Sequence, residues 1–125
     1  MKFAEAHTDG GHLIQGYELG RIFIGARTYR QGLIVSPERI VTGWGPGRAA
    51  DLAREHFEAL LELDPQVIIV GTGENQFFPD PQTYLATSRL GFGIEFMDTG
   101  AACRSYNFLV AEGRRAVAAL FMIGQ

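Results

Sequence analysis

The chain has 125 residues, 46% hydrophobic and 20% charged, with a net charge of -3; these values suit one folded domain and exclude a disordered chain. The arginines are scattered from Arg21 to Arg115 without forming a stripe, which argues against nucleic acid as the main partner. Cys103 is the only cysteine, so a disulfide framework is excluded, and no apolar run approaches the roughly 18 residues that a membrane span needs.

No charged segment followed by an apolar run opens the chain, so neither a signal nor a transit peptide is expected and a cytoplasmic, reducing location is the reading. Every basic residue except Lys2 is arginine. Arginine is favoured over lysine at protein interfaces, which leans towards a protein partner.

Residues 1–125 read as one domain in two halves. The half up to about residue 47 is β-rich. "HLIQGYELG" and "RIFIGARTY" are short runs punctuated by glycine. "GLIVSPERIVTGW" holds two brief strands, Leu33–Val35 and Ile40–Thr42, around a Ser36-Pro37 turn. Short strands of this kind predict antiparallel hairpins.

The half from about residue 48 changes period. Apolar residues at 49, 52, 53, 57, 60 and 61 predict a helix from Ala49 to Leu63, ended by Asp64-Pro65. Val67–Val70 does not alternate and reads as a strand buried on both faces. Asp80-Pro81 predicts a helix start, with Asp capping and Pro at the first helical position. Gly91 is expected to cap that helix, with Phe92 packing back on it. Gly93–Met97 follows as a strand. A helix over 100–112 is capped by Thr99 or Asp98 and stops at Gly113. Val117–Met122 is a final strand. The order β–α–β–α–β predicts helices covering a mostly parallel sheet, with the first half adding edge strands or a second layer. The fold class is α/β with α+β character, in three layers.

The turn after Val67–Val70, Gly71-Thr72-Gly73, invites a phosphate-binding reading. A dinucleotide loop needs a third glycine at position 76, which is Gln76, and a helix opening there, which waits until Asp80-Pro81. Glu74 sets a negative charge where a phosphate would sit, and no Gly-Lys-Ser or Gly-Lys-Thr follows. Close packing by the two glycines is the leading reading. The alternative is a small-molecule or anion pocket, or an enzyme site, at the strand ends. Gly71, Thr72, Gly73, Asn75, Thr99 and Asn107 are its candidates.

"TGWGPGR", Thr42 to Arg48, offers three readings: Trp44 covering the core edge, a partner contact using Trp44 and Arg48, or an anion loop. Pro46 removes a donor and weakens the last. Phe77 and Phe78 add an aromatic pair that either folds under its loop or forms a contact patch. His7, His12 and His56 make no metal-ligand spacing with another donor, so no metal is expected. His56 reads as a satisfied core-edge histidine. Cys103 reads as a small buried hydrophobe without a base nearby. Asn107 faces the sheet at helical spacing and is expected to stitch a loop to its helix.

"ERIVTGW" (38–44), "VIIVGTG" (67–73), a looser Pro-x-x-x-Tyr-Leu run (79–85), "GFGIEFMDTGAA" (91–102) and "SYNFLVAEGRRAVAALF" (105–121) form an ordered set. Together they resemble a small domain family of unknown biochemical activity, found in bacteria and archaea. Its eukaryotic relatives include mitochondrial complex I assembly factor three and an adipogenesis-associated protein of the same Mth-type domain. The Pro-x-x-x-Tyr register is shifted or doubled here by Pro79 and Pro81. The resemblance implies a central mixed sheet flanked by helices, with a small antiparallel β layer. It brings no catalytic residue and no cofactor. It also implies a protein-interaction or assembly-factor-like role, linked by analogy to the respiratory NADH dehydrogenase, in a bacterial or cytosolic member. A homodimer through an apolar edge is compatible with the sequence.

Overall fold

A computed structural model describes residues 11–89 and 93–124; the expected Gly91 cap with Phe92, and His7, lie outside them. Three short strands open the described chain, β1 (Ile14–Glu18), β2 (Arg21–Ile24) and β3 (Arg27–Tyr29). They pair in order as two antiparallel hairpins. β4 (Leu33–Val35) and β5 (Ile40–Thr42) form a third hairpin, turned at Ser36, whose hydroxyl accepts the Arg39 amide at 3.0 Å. This hairpin joins the second sheet.

That sheet has five strands in the order β5-β4-β8-β6-β7, with β6 spanning Val67–Gly71, β7 spanning Gly93–Met97 and β8 spanning Ala116–Leu120. β8, β6 and β7 run parallel, while β4 and β5 extend the sheet antiparallel. The sheet is therefore mixed. The β-rich first half supplies both an extra layer and edge strands, because β4 pairs with β8 while β1 to β3 do not.

Period-two alternation sorts the sheet's side chains onto two cores. Leu33, Val35, Ile69, Ala116, Ala118 and Leu120 face one side. There they meet α3 (Thr99–Ala111) and the three-stranded sheet through Cys103, Tyr106, Ile14 and Ile22. Ile34, Ile68, Val70, Val117 and Ala119 face the other side and meet Trp44, Leu52 and Phe57. The three layers are thus α3 with the small sheet, the five-stranded sheet, and the layer holding α1 (Glu55–Leu61).

Three expectations shift. The helix expected over Ala49–Leu63 is split into a 3-10 turn at Ala49–Asp51 and α1. Leu52 is extended at ψ 132 and turned into the core, and His56 Nδ1 accepts the Ala53 amide at 2.9 Å, replacing a helical partner. Second, Asp98 rather than Thr99 caps α3, its Oδ1 accepting the Ala101 amide at 2.9 Å. Third, the last strand ends at Leu120, with Phe121 and Met122 buried beyond it. The Asp80-Pro81 start holds: α2 (Pro81–Ser88) opens with Asp80 Oδ1 accepting the Thr83 amide at 3.0 Å. That bond, followed by the Thr83 hydroxyl, keeps the Asp80 carboxyl below its ordinary value.

Burial pushes the Cys103 thiol up to about 12, and burial also raises the Tyr106 phenol. Both groups are neutral in the native protein, and the unfolded chain ionises first as pH rises. Their contribution is therefore complete below about pH 9 and is lost as pH climbs towards 12. Urea unfolding at successive pH values is expected to show stability falling above pH 9, by up to about 1.4 kcal/mol per pH unit for each group. Cys103→Ala should flatten part of that slope; an unchanged slope would remove Cys103 from the account.

Candidate functional site

The carboxyl ends of β6, β7 and β8 meet where ligands favour open α/β sheets. Here the chain bonds to itself. The Thr99 hydroxyl accepts the Gly73 amide at 2.8 Å and donates to the Phe121 carbonyl at 2.7 Å. The Thr99 amide returns to the Gly73 carbonyl at 2.8 Å, and the Phe121 amide reaches the Gly71 carbonyl at 2.9 Å. Thr72 donates its hydroxyl to the carbonyls of Asn75, at 2.6 Å, and Met97, at 3.1 Å. A Cβ on Gly71 would lie 2.9 Å from Leu120 Cδ2 and 3.0 Å from Thr99 Cα. Gly71, Thr72, Gly73 and Thr99 are all buried, while Asn75 is exposed. Among the described residues no buried side-chain nitrogen or oxygen lacks a hydrogen bond.

Asn107 is not brought to these ends. It lies eight residues along α3 from Thr99, about 12 Å by helical rise. Its amide oxygen accepts the Ile14 N–H and its amide nitrogen donates to the Ile14 carbonyl, both at 2.8 Å. The side chain so imitates a strand neighbour for β1 and ties the small sheet to α3. Tyr106 adds a bond from its hydroxyl to the His12 carbonyl at 2.7 Å.

The candidates for partner contact divide. Trp44 is only 7% exposed; its indole N–H donates to the His56 carbonyl at 2.8 Å and its ring meets Phe121 edge-on at 5.4 Å. Its surface is thus spent inside the second core. Arg48 beside it is exposed. Phe77 and Phe78 are 36% and 57% exposed. Phe78 leans on Phe96 of β7 with centroids 6.1 Å apart, and Tyr84 of α2 leans on the same ring at 6.0 Å. Gln76 holds the loop in place by donating to the Phe96 carbonyl at 2.9 Å. Phe78 and Tyr84 thus form an apolar surface over the edge strand β7, and their chain neighbours Phe77 and Leu85 are exposed as well.

The sequence reading missed Tyr84 and Leu85, and it missed the opposite face of β7. There a groove of about 650 Å³ runs between α3 and the strand edge. Phe108, 63% exposed, overhangs it. The available signal was Arg104 and Phe108, four apart on α3 and outside the inward stripe of Cys103, Tyr106 and Val110.

Comparison with known proteins follows the same segments. A family model described as "Protein of unknown function (DUF498/DUF598)" matches residues 14–121. The chain is 28% identical over 99 residues to the "13 kDa major membrane protein" of Francisella tularensis subsp. holarctica (strain LVS), covering 78% of this chain and 80% of that protein. No helix among the described residues here is long and apolar enough to cross a membrane. It is 35% identical over 89 residues to NADH dehydrogenase (ubiquinone) 1 alpha subcomplex assembly factor 3 of Mus musculus, covering 70% of this chain. The match takes in 48% of the mouse protein, so this chain spans about half that length. The solution NMR structure of a Bordetella pertussis protein, described as a Mth938-like domain, superposes with a TM-score of 0.82 at 28% identity, covering 100% of this chain and 94% of that one. Since the match extends from β1 to the residue after β8, the chain belongs to the DUF498/DUF598 family of proteins of unknown function.

Proposed function

We propose that this chain is a non-enzymatic interaction module of the assembly-factor type. It acts in the cytoplasm on a protein partner, with subunits or assembly factors of a respiratory NADH dehydrogenase as the leading partner class. The observation that carries this reading is the aromatic surface of Phe78 and Tyr84 standing over the edge strand β7, with Phe77 exposed next to Phe78 in the loop. Aromatic side chains dominate interface energetics when a partner covers them. Two further points support it. The polar groups at the strand ends are paired with one another, and a relative is named as an assembly factor.

The test is co-purification of the tagged full chain from its host, repeated with Phe78→Asp. Phe78 is exposed, so the variant is expected to keep its melting temperature within about 2 °C. It should lose the partner by roughly 30-fold, the scale of a hot-spot residue worth about 2 kcal/mol. Recovery of no respiratory subunit or assembly factor, or equal recovery with the variant, would count against this reading.

A further inference from the structure

Among the described residues, the layer that holds α3 covers β7 only in part. α3 lies over β6 and β8 and against β1, while α2, the connection from β6 to β7, packs its Tyr84 on the opposite face. On the α3 side of β7 the cover is partial: the Ser105 hydroxyl of α3 donates to Met97 Sδ at 3.5 Å and Met97 is half-buried, while Glu95 is exposed. Val67 and Ile69 of β6 and Leu109 of α3 complete an apolar floor. Two strands about 4.8 Å apart present a strip about 10 Å wide, close to the diameter of one α-helix. Along α3, Arg104 to Ala111 spans about 10 Å at helical rise; Arg114 lies past the Gly113 turn that ends the helix, its amide donating to the Leu109 carbonyl at 3.0 Å. Among the described residues, α3 is the trough's one wall. A small ligand would leave its outer flank in water, whereas good small-molecule sites bury most of their ligand. A helix lying beside α3 would instead supply the missing neighbour at the usual spacing of about 8–10 Å.

Charge says which helix. The chain is acidic as a whole, at -3. The trough reverses that balance, with Arg104 on α3, Arg114 just past the end of α3 and Glu95 alone on the strand. Arg104 donates to the Tyr17 hydroxyl, a neutral partner, and among the described residues neither arginine makes an ion pair. The geometry points to a docking site for an amphipathic helix of a partner protein, about two turns of which lie along α3. Its apolar stripe sits on Val67, Met97 and Leu109, its acidic flank faces Arg104 and Arg114, and a basic residue on the other flank faces Glu95. This site is on the opposite face of β7 from the Phe78 surface and stands independently of it.

Two synthetic 15-residue helical peptides with the same leucine stripe test this against the full chain. One carries Glu on one flank and Lys on the other; the second carries Lys on both. The Glu/Lys peptide is expected to bind with saturable shifts of the amide signals of Val67, Met97 and Leu109, at least tenfold more tightly than the all-Lys peptide. Arg114→Glu and Phe108→Asp, both at exposed positions, should each weaken it at least tenfold while Phe78→Asp leaves it unchanged. The inference is overturned by no saturation at millimolar peptide, by equal affinity for both peptides, or by shifts confined to the Phe78 side. Loss of partner recovery with Phe78→Asp does not bear on these outcomes, so this inference and the aromatic-surface reading can fail separately.

Discussion

Replacing Thr99 by valine is expected to destabilise the protein by about 3 kcal/mol, although the two side chains have nearly the same shape. The hydroxyl is fully buried and serves two backbone groups, the Gly73 amide and the Phe121 carbonyl. Valine would leave both unpaired, and each orphaned buried group costs roughly 1–3 kcal/mol. A domain of this size has about 5–15 kcal/mol in total, so the loss is a large share of it. A melting temperature lower by about 12 °C and a lower urea midpoint at unchanged m-value should report it. The substitution also separates two readings of the strand ends. A hydroxyl kept for a ligand would have no structural bond to lose, and the ligand-free variant would then stay within about 0.5 kcal/mol of the parent.

Gly32→Ala should be at least as damaging. A Cβ there would stand 2.2 Å from the Trp44 carbonyl oxygen, a backbone atom that cannot swing aside. The same two residues are bonded, with the Trp44 amide donating to the Gly32 carbonyl at 2.9 Å. Relieving the clash means separating the segment before β4 from the one after β5. Trp44 is held by its indole bond to His56 and its contact with Phe121, so that separation disturbs the second core. Overpacking of this kind costs about 3 kcal/mol or more where backbone must move. Trp44 is the only tryptophan, so its fluorescence reads the event directly: a red shift with the lowered midpoint is expected. Gly47→Ala is the matched control, because nothing lies within 4 Å of its added methyl. Comparable stability loss in the two variants would show that chain flexibility, rather than the Trp44 carbonyl, was being measured.

These two positions also mark where the sequence stopped being legible. Leu33–Val35, Ile40–Thr42 and Gly93–Met97 could be placed as strands because apolar runs between Gly and Pro carry that information within a few residues. Helix α3 was legible from its period and from Gly113 beyond its end. The burial of Val67–Val70 on both faces followed from its lack of alternation. The split of the Ala49–Leu63 helix was not legible, because a histidine imidazole and a buried Leu52 overrode the apolar spacing. Trp44 was legible as cover for the core edge, but the partners of Thr99 and of the Trp44 indole were hidden for a related reason. The hydroxyl of Thr99 meets groups 22 and 26 residues away, and the indole of Trp44 meets a carbonyl 12 residues on.

The apolar surfaces divide in the same way. Phe77 and Phe78 stood out in the sequence as aromatics in a loop, but only the fold sets Phe78 and Tyr84 on one ring of an edge strand. The strip beside α3 that the described residues cover only in part depends on how many strands the sheet has and on which side each crossover passes. By itself the sequence determined the local elements and the two-sided burial of the central strands, since periodicity and turn chemistry act over about ten residues. Tertiary structure alone decided which hydroxyl meets which amide and which apolar face is left open, because those depend on segments that meet only after the chain has folded.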